Sequence, residues 1–397
     1  MAASAQTFGT EEHPTITTAE MVERATALVP TLRERAQYCE AIRRIPDETR
    51  DDFIRSSIIR ISQPVARGGL GLDMDSVYEV AMELGRGCGS SAWMGSFWPL
   101  HNWMVGMWPK AAQDEYWANS PDVLSSTAWD VVNIKVEPAS GGIRLSGHWD
   151  YSSGIDHAAW AMVFVPGPPV GMALVPRRDF RVVDTWHATG LCGSGSNDLI
   201  VDGAFVPDYR ILNMEAAANG QSAGRELYGT PFYRLPLYMW LTYSLAAPLI
   251  GMAQGAVEAF EDLMRERVEG ISGARAAERP VNHLRLAESS AEVDAVRVLM
   301  RRNLRQLIDW ANADAEIPVS ERLRIRRDIT FGGMLCNRAA RRLFEAAGAH
   351  SIKRSAPLQR FARDAEAAIH SGALAWDSTG EQYGRVRLGL APTTFFY

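Results

Sequence analysis

The sequence has few cysteines, few lysines and no long hydrophobic run. Its four cysteines stand singly, with no CxxC pair and no histidine at zinc-like spacing, so we expect neither a disulfide scaffold nor a metal site. This cysteine usage indicates a reducing cytoplasm. The most apolar run, residues 238–253, contains Thr242, Ser244 and Pro248 and is too short to span a bilayer. The first 14 residues lack the basic start and apolar stretch of a signal peptide, so we expect a soluble protein.

Motifs for nucleic acids and nucleotides are also absent. The formal net charge is −6 at pH 7, and no cluster of Lys and Arg is interleaved with aromatic residues, so we expect no nucleic-acid partner. Neither glycine-rich segment, GGLGLD or GSGSND, completes G-x-G-x-x-G in a strand–helix unit, and neither Walker A nor G-x-S-x-G occurs. These absences argue against the commonest nucleotide-binding folds and the serine-hydrolase elbow.

The chain has enough apolar residues for a large core. Its 397 residues are 47% hydrophobic, which allows two or three domains. In the first third, Thr17-x-x-Glu20 is a capping-box pattern that begins a helix, and Pro30 is expected to bend that helix. Further helices are predicted at 47–57, 75–86 and 110–118, with a glycine-rich loop at 66–73.

Short β-branched or aromatic runs begin at about Val123. Six runs are separated by Gly, Pro, Asn or Asp: VLSSTA, NIKVEP, IRLSGHWDY, AAWAMVFV, GMALVP and FRVVD. They predict a compact antiparallel sheet or small barrel.

Helical periodicity returns after Arg234. Apolar residues between Val293 and Leu307 recur at spacings of three and four, and long helices are predicted over 319–347 and 357–384. Breaks are predicted near 270–273, 318 and 357. We therefore expect an α+β, mostly α protein with three domains: helical (1–122), β (123–230) and a helical bundle (231–397).

Four stretches carry a resemblance to a known family. They are ELGRGCGSSAW with the histidine that follows it, GHWDYSSGIDHAAW, DTWHATGLCGSGSNDLIVDGAFVP and PLQRFARDAEAAIH. Together they resemble the acyl-CoA dehydrogenase superfamily, and within it the two-component flavin-dependent monooxygenases. The resemblance implies an N-terminal helical domain, a central antiparallel β-barrel domain and a C-terminal four-helix bundle, assembled as a homotetramer.

One substitution distinguishes the monooxygenases from the dehydrogenases. Dehydrogenases of this superfamily commonly carry a glutamate base eight residues after the aspartate of a terminal Arg-Asp pair. That pair is Arg363-Asp364 here, and the position of the base is Gly372. Monooxygenases carry a histidine six residues after the aspartate, which is His370 in this sequence.

The resemblance implies a hydroxylation reaction. Reduced FAD or FMN, supplied by a separate NAD(P)H-dependent flavin reductase, would react with O2 to give a C4a-hydroperoxide that hydroxylates a phenolic or indolic compound. Ser153 is the candidate for the region of flavin N5. His370 would favour hydroperoxide formation or supply a proton, and His101 would orient or deprotonate the substrate.

Further residues are implied by the same resemblance. The candidates for flavin contacts, besides Ser153, are Ser126, Thr127, Ser152, Gly154, Arg275 and Arg363, and those for the substrate, besides His101, are Trp98, Trp129 and Tyr238. Each residue type also has a structural explanation: a packed histidine, a turn-capping serine, a core aromatic residue or an arginine in an ion pair.

Other functions stay open at this point. One alternative is N-hydroxylation of an amine or amino sugar, which shares the flavin chemistry. A second is an acyl-CoA dehydrogenase whose base lies elsewhere. A third is a catalytically silent flavin-binding or assembly protein.

Overall fold

The computed structural model describes residues 16–167, 169–268 and 273–394. The first 14 residues, and most of the break predicted at 270–273, lie outside the described residues. Within these ranges, no helix has the length and apolar character that crossing a membrane requires.

Five helices precede the strands: α1 (Thr18–Ile42), α2 (Asp47–Arg55), α3 (Met74–Gly85), α4 (Gly89–Val105) and α5 (Lys110–Tyr116). Both hydrogen bonds of the predicted capping box are present, between Thr17 and Glu20, and α1 continues through Pro30. The sequence analysis did not predict α4. All of its residues are buried, so its apolar residues occupy every side and show no helical period.

Eight strands follow: β1 (Ser125–Ala128), β2 (Asp130–Ala139), β3 (Gly142–Ser152), β4 (Trp160–Val165), β5 (Gly171–Pro176), β6 (Phe180–Val183), β7 (Asn197–Pro207) and β8 (Ile211–Asn213). The six predicted runs correspond to β1–β6. They form two four-stranded sheets, β1-β4-β5-β8 and β2-β3-β7-β6, antiparallel except for β1 beside β4. Apolar residues of both sheets share one core, which includes Trp149, Val163 and Leu199.

The described residues after the strands contain seven α-helices: α6 (Met214–Ala218), α7 (Ala223–Tyr228), α8 (Leu237–Glu266), α9 (Pro280–Asn312), α10 (Val319–Ala347), α11 (Pro357–Ile369) and α12 (Trp376–Arg387). The apolar repeat from Val293 to Leu307 forms the buried face of α9. The single helix predicted over 357–384 is wrong, because α11 ends at Ile369 and a short 3-10 turn at Gly372–Leu374 separates it from α12. Glycine and serine are poor helix formers at this break.

Helices from the two ends of the chain share a second core. α3 packs directly on α8, and the two helices approach most closely where glycine faces glycine. A Cβ added at Gly85 would lie 2.8 Å from the Cα atom of Gly251. The absence of side chains at this crossing allows the backbones to touch.

Candidate active site

One face of α4 carries three aromatic rings in a row. Trp93, Phe97 and His101 are spaced four residues apart, so they lie one above the other on the same side of the helix. The Trp93 and Phe97 ring centroids are 5.1 Å apart, and Phe97 stacks on His101 at 5.6 Å. The backbone rises by about 12 Å along the helix axis over the eight residues from Trp93 to His101.

His101 forms one end of the row and is held in a single tautomer. Its Nδ1 atom lies 2.7 Å from the carbonyl oxygen of Ser125, which accepts a hydrogen bond and therefore requires a proton on Nδ1. The other nitrogen, Nε2, is left as an acceptor and faces the Thr127 hydroxyl at 3.3 Å. Burial lowers the pKa of His101 to about 4, so the ring is neutral at physiological pH.

Strand β1 extends this site toward α8. Trp129 follows directly after the last residue of β1, Ala128. Trp129 stacks with Phe164 at 5.9 Å and contacts Tyr238 at 6.2 Å. The structure thus places two of the predicted substrate residues, Trp129 and Tyr238, beside each other.

Ser153 lies at the opposite end of the aromatic row. Its half-buried hydroxyl accepts a hydrogen bond from Trp93 Nε1 at 3.4 Å and is 2.8 Å from the Ser196 hydroxyl. Gly154, which follows it, has φ +72°, and a Cβ at this position would lie 2.3 Å from Met94 Cε. The turn therefore requires glycine in order to pack against α4.

Ser126 and Ser152 lie behind this turn and are fully buried. Their hydroxyls are 2.6 Å apart, and Ser126 donates to the carbonyl oxygen of Ser153 at 2.8 Å. Ser152 then donates to Ser126. Both side chains therefore hold the Ser153 turn, and contact between these hydroxyls and a flavin stays a prediction.

Three predicted residues lie apart from the aromatic row. His370 is exposed at the end of α11, and its Nδ1 donates to the Glu366 carbonyl oxygen at 2.8 Å. Arg275 is exposed. All three guanidinium nitrogens of Arg363 bind protein acceptors: Glu40, Gln359 and the Thr189 carbonyl oxygen. Within the described ranges, no hydrogen bond or ring contact joins these three residues to Ser153 or His101.

Trp98, a predicted substrate residue, packs with other residues than Trp129 and Tyr238 do. Its ring packs edge-on against Phe53 and His157 at 6.2 and 6.1 Å, and 1% of the residue is exposed. It lies beneath Gly154, and its Nε1 has no hydrogen-bond partner in the described part of the chain. This packing favours the core alternative for Trp98.

A buried arginine near Tyr238, Arg326, was not predicted from the sequence. It lies on α10, is 8% exposed, and donates to the Ala373 carbonyl oxygen at 3.3 Å. Burial lowers its pKa to about 10, and the nearby Tyr238 opposes this change. Tyr238 and Arg326 are far apart in the sequence, so no local pattern could have distinguished this arginine from the others.

A second polar cluster lies on β3 and β7. His148 Nε2 is 2.9 Å from Asp198 and 3.4 Å from Asp150, although the spacing of these residues predicted no metal site. Hydrogen bonds among the three side chains account for their placement, and we assign no ion to them.

The residues of the site fit an isoalloxazine ring. Trp93 and Phe97 are apolar rings of the kind that pack on a flat ring, the Ser153 hydroxyl could donate to its polar edge, and the Thr127 oxygen could accept from it. The close approach at Gly154 keeps the Ser153 backbone near α4. No metal is needed to explain this donor set, which consists of hydroxyls, an indole and a neutral imidazole.

Comparisons with known proteins show the family of the chain. Residues 243–374 match the family model described as acyl-CoA dehydrogenase, C-terminal domain. The chain is 34% identical to the oxygenase subunit HsaA of a flavin-dependent monooxygenase from Rhodococcus jostii, covering 94% of this chain and 99% of the relative. It is 32% identical to the oxygenase component of an FADH2-dependent resorcinol hydroxylase from Rhizobium sp., with 94% and 95% covered. The crystal structure of 3-HSA hydroxylase from Rhodococcus sp. superimposes with a TM-score of 0.90 at 33% identity, covering 95% of this chain and 99% of that one.

Proposed function

Because this chain belongs to the flavin-dependent monooxygenases that share the acyl-CoA dehydrogenase fold, we propose that it is an oxygenase component that hydroxylates a phenolic or indolic compound with reduced flavin and O2. The observation that carries this proposal is the row of Trp93, Phe97 and His101, which joins the Ser153 turn to a neutral imidazole acceptor.

His101 binds the substrate hydroxyl in this proposal. Its Nε2 lone pair faces the Thr127 hydroxyl in the free protein, and the substrate takes the place of this long contact by donating a phenol O–H or an indole N–H, because Ser125 holds the proton on Nδ1. A pKa of about 4 makes His101 a weak base, so the imidazole orients and polarises the hydroxyl without removing its proton in the ground state. Trp129 and Tyr238 pack against the aromatic ring of the substrate.

Ser153 and Thr127 hold the polar edge of the flavin, with Trp93 and Phe97 beside its ring. When bound, reduced flavin reacts with O2 and supplies the oxygen atom that is transferred. Trp93 and Phe97 are buried and apolar, so they would keep water out of this space and limit the loss of activated oxygen as hydrogen peroxide. His370 is exposed and has no contact with the aromatic row in the described ranges, so its part as a proton donor rests on the resemblance alone.

A separate flavin reductase is part of the proposal. The relatives' printed names, oxygenase subunit and oxygenase component, support a division of labour between two proteins. The resorcinol hydroxylase is named as FADH2-dependent, and a related Streptomyces structure contains FADH2, so reduced FAD is the first flavin to test. The homotetramer expected from the sequence stays a prediction.

The direct test is a single turnover. The protein is mixed anaerobically with reduced FAD and a phenol such as resorcinol or p-hydroxyphenylacetate, and ¹⁸O2 is then admitted. We expect one ¹⁸O atom in the aromatic product by mass spectrometry and little hydrogen peroxide. A second series replaces FAD by FMN, and a third replaces the phenol by an indole.

Two results would overturn the proposal. Bleaching of oxidised flavin by an acyl-CoA, without product from any aromatic compound, would identify a dehydrogenase with a displaced base. Failure to bind either flavin in either oxidation state would identify a silent scaffold.

A further inference from the structure

Three serine hydroxyls form a chain that ends at the proposed flavin site. Ser194 Oγ is 2.7 Å from Ser196 Oγ, and Ser196 Oγ is 2.8 Å from Ser153 Oγ. Ser194 and Ser196 are 1% and 5% exposed, whereas Ser153 is half-buried. The chain therefore runs from the interior toward the site.

The surroundings of the chain determine its direction. Each hydroxyl has one proton to donate, and in the described part of the chain the Ser194 hydroxyl contacts no acceptor other than Ser196. If Ser153 donated inward, the Ser194 proton would be buried without an acceptor, which costs more than an unused lone pair. If Ser194 donates to Ser196 and Ser196 to Ser153, every buried proton is paired. The Ser153 proton then points into the site.

Backbone contacts hold the chain in register. Ser194 accepts a hydrogen bond from the Gly154 N–H at 2.8 Å, so its peptide is fixed to the turn that carries Ser153. Two residues outside the turn hold the segment before it: the Leu191 N–H donates to Asp364 at 2.7 Å, and the Gly193 N–H donates to Ser90 at 3.1 Å. Leu191 has φ +49°, an uncommon backbone state for leucine, which Asp364 helps to maintain.

We propose that Ser194 and Ser196 are positioning residues that direct the Ser153 proton toward an acceptor atom on the flavin ring. The inference rests on the proposed function, since it takes the group in front of Ser153 to be flavin. In a buried chain, each hydrogen bond polarises the next, so the inner hydroxyls strengthen Ser153 as a donor without touching the ligand.

A double-mutant cycle tests the proposal. The variants are Ser153→Ala, Ser196→Ala and the double variant, with Ser196→Thr to retain a hydroxyl at this position. The readouts are the Kd for reduced FAD from anaerobic titration and the hydrogen peroxide released per reduced flavin oxidised. Thermal melting of each protein without flavin reports on folding, and Ser378→Ala, at an exposed serine, is the control.

We expect Ser196→Ala to weaken binding of reduced FAD about fivefold, the effect of one net hydrogen bond. Ser196→Thr should restore the Kd to within about twofold of the unchanged protein. Because Ser196 acts through Ser153, the double variant should bind no more weakly than Ser153→Ala alone. The variants that bind reduced FAD more weakly should also release more hydrogen peroxide per reduced flavin oxidised.

Two outcomes would overturn the inference: a Kd for Ser196→Ala equal to that of the unchanged protein, or additive effects in the double variant. If Ser196→Ala melts at a much lower temperature, Ser194→Ala takes its place in the cycle, since it removes the end of the chain and leaves Ser196 beside Ser153. Failure of the proposed function looks different, because the unchanged protein itself would then form no hydroxylated product.

Discussion

His101 Nδ1 and the carbonyl oxygen of Ser125 lie 2.7 Å apart, and this contact determines which imidazole nitrogen faces the site. It joins α4 to β1, two elements that the sequence does not connect by any local pattern. The proton on Nδ1 leaves Nε2 as an acceptor beside Thr127. A substrate hydroxyl that takes the place of Thr127 is thus met by a lone pair.

The variant His101→Asn separates the hydrogen bond to Ser125 from the acceptor at Nε2. The asparagine amide retains a donor for Ser125 but provides no acceptor at the place of Nε2. We expect product formation to fall about 100-fold, in the lower range for positioned proton-handling groups. Product formed per reduced flavin oxidised is the measurement, with His350→Asn, at an exposed histidine, as the control. Equal rates in both variants would remove His101 from substrate binding.

Acid should destabilise the protein through the same residue. The pKa of His101 is about 4 in the folded chain and 6.5 in the unfolded chain, so the unfolded chain binds the proton first as the pH falls. The stabilisation is present above pH 6.5 and is lost between pH 6.5 and 4, with an upper limit of roughly 3 kcal/mol. Urea unfolding of the unchanged protein and His101→Asn should show a difference in unfolding free energy that shrinks over this range.

Asp364 changes the unfolding free energy with pH in the opposite direction to His101. The unchanged protein must therefore be compared with His101→Asn. Burial raises the pKa of Asp364 to about 7, so its contribution is present below pH 3.8 and is lost as the pH rises through 7. Both proteins contain Asp364, and its effect cancels in their difference. A difference that stays constant from pH 7 to 4 would contradict the assignment to His101.

The variant Ser153→Ala should uncouple oxygen consumption from hydroxylation. The hydroxyl at the end of the aromatic row is lost, and hydrogen bonds in a dry site have larger effects than in water. We expect hydrogen peroxide to become the main product of flavin oxidation. A peroxide assay beside product analysis checks this, and an unchanged ratio would leave Ser153 with a structural role only.

The variant His370→Ala tests the residue that distinguishes the two branches of the superfamily. If His370 supplies a proton, product per reduced flavin should fall about tenfold, within the range for one general acid. His370 is exposed in the single chain, so its removal should leave thermal stability unchanged. Coupling equal to that of His350→Ala would exclude His370 from the reaction.

The helix crossing gives a test of the fold. A Cβ at Gly251 would lie 2.2 Å from the Met82 carbonyl oxygen, so Gly251→Ala should destabilise the protein by about 1–3 kcal/mol. Gly384→Ala is the matched control, because a Cβ there meets no atom within 4 Å on a helix. The control should be neutral or stabilise by up to about 1 kcal/mol. Urea unfolding distinguishes the two, and equal midpoints would contradict the close crossing.

Local chemistry made much of the fold predictable. The capping box at Thr17 and the six β-branched runs act over a few residues, and the structure contains α1 and β1–β6 at those places. α4 escaped prediction because a helix buried on all sides has no polar face to reveal its period. The break after Ile369 escaped because the apolar pattern continues across it.

The site was predictable only in part, for a similar reason. The resemblance indicated His101, Ser153 and Thr127, which the structure places along one face of α4 and β1. The tautomer of His101 and the hydroxyl chain behind Ser153 depend on contacts between residues far apart in the sequence. Such contacts follow from packing, and no spacing in the sequence encodes them.

The packing of α3 on α8 also has a consequence for biosynthesis. α3 emerges from the ribosome with an apolar face whose partner begins at Leu237, after the whole strand region. At usual rates of translation, α8 is synthesised roughly 10 s or more after α3. Fragments that stop before Leu237 contain α1 and α4, which also pack on α3, but lack α8, so the surface of α3 that α8 covers would stay exposed and we expect such fragments to precipitate.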